Sequence, residues 1–173
     1  MSGRPSFSRL GMLTGLATLF LGLAVPASGF GAPAPRCSTS SLRLDFINQE
    51  AATSHRFWNL GLRNVGPATC HLKGYPGVGL LDANAKLIND PVVRQTGFKQ
   101  RNVVLKPWQQ AYFSFSYAVS GPCIPNFFYA YGIEVFPPDN GLELVYYRGR
   151  FDVCGRSLSQ PRVYPVRPTL NQL

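Results

Sequence analysis

Apolar and polar positions alternate with a period of two along most of this chain. The pattern is clearest over residues 112–119, where Phe113, Phe115, Tyr117 and Val119 share one face and Ser114 and Ser116 take the other. Extended backbone sends successive side chains to opposite faces, so this spacing predicts a strand. Tyr129, Tyr131, Ile133 and Val135 predict a second strand with one inward face, inside a strand-like run over 127–136. Leu42, Leu44 and Phe46 predict another over 42–47, and Trp58, Leu60 and Leu62 one over 57–63. Leu72, Val78 and Leu80 read as a further strand, interrupted by Gly74 and Pro76 and so placed at an edge or a bulge. The run over 142–153 is strand-like as well, with Gly149 marking a bulge inside it. Turn signals fall at 64–67, 82–84, 106–107 and 137–141. The Pro-rich tail over 161–168 reads as an edge strand or a docked extended segment. No segment shows the period of an amphipathic helix. About seven or eight short strands at this spacing predict an all-β, immunoglobulin-like antiparallel β-sandwich.

Parity leaves one question open. The apolar positions of 42–46 and of 58–62 are all even-numbered, yet a mirror about the polar turn at 49–54 pairs even with odd. Either a bulge shifts the register, or the two strands are not neighbours.

The N-terminus has a different character. Arg4 and Arg9 precede an uncharged apolar run over 10–25, and Val25-Pro26-Ala27 offers small residues for cleavage. These features predict a signal peptide over 1–27, a flexible linker over 28–36 and a single domain over 37–173. An uncleaved anchor is the alternative. The run is shorter than the roughly 20 residues a spanning helix needs, and no later stretch is longer, so the mature form is expected to carry no transmembrane segment. Arg4 and Arg9 are not adjacent, against a twin-arginine signal, and Ala34-Pro35-Arg36 before Cys37 does not resemble a lipoprotein site. The expected location is periplasmic or extracellular, after Sec export.

Export makes the cysteines interpretable, because an oxidising compartment favours disulfides. Cys37, Cys70, Cys123 and Cys154 allow three pairings. Cys123 and Cys154 lie nearly equidistant from the turn at 137–141, and Cys37 and Cys70 flank the turn at 49–54, so Cys37–Cys70 and Cys123–Cys154 are expected. A zinc site is the weaker use of these thiols: no C-x-x-C pair occurs, and His71 alone sits close to a cysteine. Both methionines, Met1 and Met12, belong to the signal peptide, which removes thioether ligands for copper. No metal and no cofactor is expected.

The whole chain carries a net charge of +9; without Arg4 and Arg9, fifteen basic and eight acidic residues leave +7. The basic residues are scattered, densest at Lys99/Arg101/Lys106 and Arg148/Arg150/Arg156. Scatter suits an ordinary solvated surface. Its functional reading is attraction to anionic envelope polymers, lipid headgroups or nucleic acid.

Catalytic signals are lacking. No nucleophile elbow, zinc-protease helix, phosphate-cradling loop or calcium loop is present. His55 and His71 are the two histidines, and nothing in the sequence pairs either with a nucleophile. Glu134 and Glu143 face one another across the expected last hairpin, the nearest approach to an acid–base pair. No catalytic residue is assigned. Aromatics are the less ordinary feature: Phe127-Phe128-Tyr129-x-Tyr131 and Tyr146-Tyr147-x-x-x-Phe151 put rings on both faces of that hairpin, with Arg148 and Arg150 among them. One face suits the core; the other needs a second sheet, a terminus or a partner. Tyr146, Arg148, Arg150 and Phe128 are therefore the candidate binding residues.

Cys70-His71-Leu72-Lys73-Gly74-Tyr75-Pro76-Gly77-Val78, followed by Leu80-Leu81-Asp82, resembles the signature of the bacterial domain of unknown function 4232. Leu62-x-Asn64, Ile133-x-Val135-x-Pro137-Pro138 and Val163-x-Pro165-Val166 follow the same order, so the resemblance runs from Cys37 to about Val166. The chain departs from it where Leu105-Lys106-Pro107 continues into Trp108 instead of glycine. The resemblance implies a secreted or surface-anchored β-sandwich and brings no catalytic residues. Gly74, Tyr75, Pro76 and Gly77 read as a structural bend packed by the tyrosine. The expected function is a non-enzymatic binding or structural module at the bacterial envelope or outside the cell. An inhibitor or effector that grips a protein through the aromatic–arginine hairpin is the alternative, and an unrecognised hydrolase comes behind it. The expected partner is an anionic envelope polymer or a protein, with nucleic acid the weakest class.

Overall fold

The computed structural model describes residues 32–88, 91–119, 127–154 and 160–170. The chain divides into two units, Met1–Ala32 and Pro33–Leu173, and every described strand belongs to the second. The expected signal peptide and Cys123 lie outside the described residues.

Among the described residues, a 3-10 turn at Thr39–Ser41 leads into eleven strands. They are β1 (Leu42–Ala52), β2 (His55–Asn64), β3 (Cys70–Lys73), β4 (Gly77–Leu81), β5 (Leu87–Ile88), β6 (Val93–Arg94), β7 (Asn102–Leu105), β8 (Gln110–Ala118), β9 (Phe127–Phe136), β10 (Leu144–Cys154) and β11 (Arg162–Val163). One sheet has the order β1-β2-β8-β11-β6, a second β10-β9-β4-β5, and β3 pairs β7 alone. The first three strands of one sheet and the four of the other reproduce the A-B-E and G-F-C-C′ neighbours of an immunoglobulin sandwich. β11, close to the C-terminus, takes the fourth place. Strands exceed the expected seven or eight because β5, β6 and β11 have two residues each, too few to show a period. The sheet is also not purely antiparallel, since β11 runs parallel to β6.

The parity question resolves as a bulge. Leu44 faces Leu62 and Phe46 faces Leu60, then the register shifts and Asn48 faces Asn59. Ile47 is the extra residue, so the even positions of both strands meet on the core side despite the short turn after Ala52. Residues 70–81 are not one interrupted edge strand. Gly74, at φ 102°, lets the chain leave β3 and cross to the four-stranded sheet, where β4 is paired on both sides, with β9 and β5. Tyr75 fastens that crossing: its hydroxyl donates to the Gln95 carbonyl at 2.7 Å, and its ring packs on the core.

One core joins both sheets through Trp58, Leu60, Phe113 and Phe115 on one side and Leu80, Ile133, Val135 and Val153 on the other. Trp58 is its hub, fully buried, with Phe46, Phe115, Tyr117, Tyr146 and Phe151 around the indole. The serine face of β8 is not solvated as alternation suggests. Ser114 and Ser116 are buried, and Arg167 from the C-terminal segment donates to Ser114 Oγ at 2.8 Å and to Asn59 Oδ1 at 3.4 Å. The cause is the last segment, whose Arg167 exchanges both backbone hydrogen bonds with Tyr112. Burial lowers the Arg167 pKa, opposed by attraction to Glu50.

Cys37 and Cys70 form a disulfide with Cα atoms 4.9 Å apart. Cys154 is not a free thiol, but the expected Cys123–Cys154 bridge falls on a position outside the described residues. Among the described residues, no helix is long and apolar enough to cross a membrane.

Candidate functional site

The last hairpin shapes the strongest candidate. β10 pairs β9 from Leu144↔Val135 to Tyr147↔Gly132, then resumes at Phe151↔Ala130. Arg148, Gly149 and Arg150 bulge out between, with Gly149 at φ 93°, a backbone state that favours glycine. A Cβ there would meet nothing within 4 Å, so conformation and not space selects the glycine.

Bulging reverses which side faces the core. Before it, Leu144 and Tyr146 pack on the core; after it, Phe151 and Val153 do. β9 changes side as well: Ile133 and Val135 are buried toward its end, and Ala130 near its start. The single inward face expected from Tyr129 to Val135 is therefore broken, and Tyr129 is 46% exposed. Tyr146, named from sequence as a contact residue, instead stacks on Phe46 with centroids 5.5 Å apart and planes 7° apart. Phe128 also packs against the core. The rings of this hairpin that do reach solvent are Tyr129 and Tyr147, and Val145 is exposed as well. Alternation carries a single parity through Gly149; reversing it at the bulge would find both rings.

The arginines stay at the surface but are held. Arg148 lies over the Phe46 ring at 4.3 Å and over Trp58 at 5.4 Å, and Arg150 lies over Tyr129 at 4.7 Å. Both line a cleft of about 430 Å³ with Arg56, Gln49, Tyr117 and Asp152. Three guanidinium groups against one carboxylate make it cationic. Burial raises the Tyr117 pKa, against the pull of its Trp58 hydrogen bond and of Arg148 and Arg56, so the phenol stays neutral. A guanidinium resting on an aromatic face is weakly hydrated and restricted in rotamer, which prepares its fork for two oxygens of a carboxylate or phosphate.

The other sequence candidates do not gather. Gly74, Tyr75, Pro76 and Gly77 form the crossing described above, where the Gly74 carbonyl also accepts Val166 N–H at 2.8 Å. His55 opens β2 and has Nδ1 3.2 Å from the Thr53 carbonyl. His71 lies beyond the far end of β2, with Nδ1 2.6 Å from the Ala34 carbonyl. Asn64 at that end donates to Leu105 in β7, the strand that pairs β3. The ten residues of β2 separate the two histidines by roughly 30 Å at ~3.3 Å per residue, so they share no cleft. Burial, and then Glu143, raises the Glu134 pKa. Among the described residues, no group of three or more His, Cys, Asp or Glu is placed to hold a metal.

The family described as "Domain of unknown function (DUF4232)" matches residues 37–166. No curated protein and no solved structure matches the chain.

Proposed function

The chain belongs to the DUF4232 family, and on that basis we propose that it is an exported, non-enzymatic binding module whose arginine cleft takes an anionic group of an envelope polymer. The observation that carries this reading is Arg148 seated on Phe46 and Trp58 beside Arg56 and Arg150. An unselective basic surface has no need to fix its arginines on rings, whereas a site for carboxylate or phosphate gains from doing so. The Cys37–Cys70 bridge supports an oxidising compartment. The scattered basic residues add long-range attraction that brings polyanions close before the cleft engages.

A second reading, an inhibitor or effector with a protein partner, is favoured by Tyr129, Val145 and Tyr147, exposed by 46%, 45% and 57% on the same hairpin. Binding to polyglycerol phosphate and to polygalacturonate separates the possibilities. Arg148→Ala should weaken capture of one of these polymers at least tenfold, while Lys99→Ala should change it less than twofold. Equal effects from both substitutions would leave only unselective charge attraction.

A further inference from the structure

We propose a second binding site, for a saccharide chain, on the outer face of the five-stranded sheet and centred on Trp108. Lys106-Pro107-Trp108-Gln109 is a β-turn closed by Gln109 N–H donating to the Lys106 carbonyl at 3.0 Å. Proline holds its second position and Trp108 its third, at φ 68°. Such a type II turn favours glycine at the third position, because a Cβ crowds the backbone there. This chain places its bulkiest side chain at that position and leaves it 67% exposed. Two bonds to Asn64 hold the turn in place: Trp108 N–H to the Asn64 carbonyl at 2.7 Å, and Asn64 N–H to the Gln109 carbonyl at 2.9 Å. An exposed aromatic kept in an unfavourable backbone state by its surroundings has the marks of a contact residue.

Beside the indole runs a groove of about 580 Å³, with Arg63, Gln110, Tyr112, Val104 and Ile47 among its walls. Gln110 lies across Gly61, where a Cβ would collide with the glutamine amide, so the glycine makes room for it. Its Oε1 is buried and receives no hydrogen bond. An orphaned buried acceptor calls for a donor from a ligand. Arg63, whose Nε is engaged by Asp45 at 2.7 Å, also lines the groove. The groove thus offers a flat apolar ring, an acceptor needing a donor, and an arginine side chain on its wall. Sugar hydroxyls donate and accept, and the C–H face of a pyranose lies flat on an indole. The groove shares no lining residue with the arginine cleft, so the two sites stand or fall separately.

Of the two tryptophans, Trp58 is fully buried and Trp108 is exposed, so a change in emission on ligand addition reports Trp108. The full chain would be titrated with soluble oligomers of N-acetylglucosamine, mannose, arabinose and galactose, and with oligoproline and oligoalanine. At least one saccharide series should give a saturable blue shift and at least twofold protection from acrylamide quenching. Trp108→Gly should lose saccharide binding, read by calorimetry, with an unfolding transition still cooperative. Arg148→Ala should leave it unchanged. A shift from the peptides alone, no shift from any saccharide, or undiminished binding by Trp108→Gly would each overturn the proposal.

Discussion

Removing the Cys37–Cys70 bridge should cost more than any surface change, and its size can be worked from the structure. The bridge spans 33 residues, and restoring the entropy of that loop to the unfolded chain costs about 3.7 kcal/mol at 25 °C. The double variant Cys37→Ala/Cys70→Ala avoids a stray thiol that could exchange with the remaining cysteines. Both positions are buried, at 1% and 5% exposure, so lost packing adds to the entropic term. The bridge also fixes the segment before β1. Cys37 N–H donates to the His71 carbonyl at 3.0 Å, and the Cys37 carbonyl accepts Asn140 Nδ2 at 3.0 Å, which ties the β9–β10 turn to the N-terminal segment. A domain of this size should then lose roughly 10–15 °C in Tm. In urea, with m of about 2 kcal/mol/M, the midpoint should fall by roughly 2 M. Denaturation followed by circular dichroism and by Trp58 emission measures both. A loss below about 1 kcal/mol would refute the reasoning, because the unfolded chain would then be gaining little freedom from the opened loop.

The second sheet gives two further outcomes. Glu134 binds its proton more tightly in the fold than in the unfolded chain, because burial and Glu143 raise its pKa, so its contribution is present at acid pH and lost as pH rises through the folded value. Glu134→Gln should therefore raise Tm at pH 7, and the gain should vanish near pH 4; thermal melts at the two pH values check it. Gly149→Ala meets no neighbouring atom but places a Cβ at φ 93°, so it should cost about 1–2 kcal/mol through backbone strain, measurable by urea titration.

Much of the fold is legible in the sequence because period-two alternation is a local signal. The strands around Phe113, Ile133 and Leu60, the turn at 137–141 and the Cys37–Cys70 pairing can all be read from spacing. What escapes is set by non-local pairing. β3 and β4 look like one broken strand, because nothing in Cys70–Leu81 says that Gly74 sends the chain from the β3–β7 pair into the four-stranded sheet. Ser114 looks solvated because its cover, Arg167, arrives 53 residues later. The candidate site is half legible. Arg148 and Arg150 stand out among the aromatics, and Gly149 reads as a bulge. Alternation alone does not carry the reversal of facing that a bulge brings, so it points Tyr146 outward while the ring stacks on Phe46. Trp108 stands out only as a missing glycine; the groove beside it needs β1, β2, β7 and β8 together.

The central claim is that the bulge of β10 makes a selective anion site, and arginine side-chain NMR tests it most directly. Nε–Hε resonances would be followed during titration with an oligomer of glycerol phosphate, and separately of galacturonate, at physiological salt. The account predicts saturable shifts at Arg148, Arg150 and Arg56 with one of the two ligands, and far smaller ones at Arg101 and Arg162. Shifts spread evenly over all arginines, or confined to those outside the cleft, would contradict it.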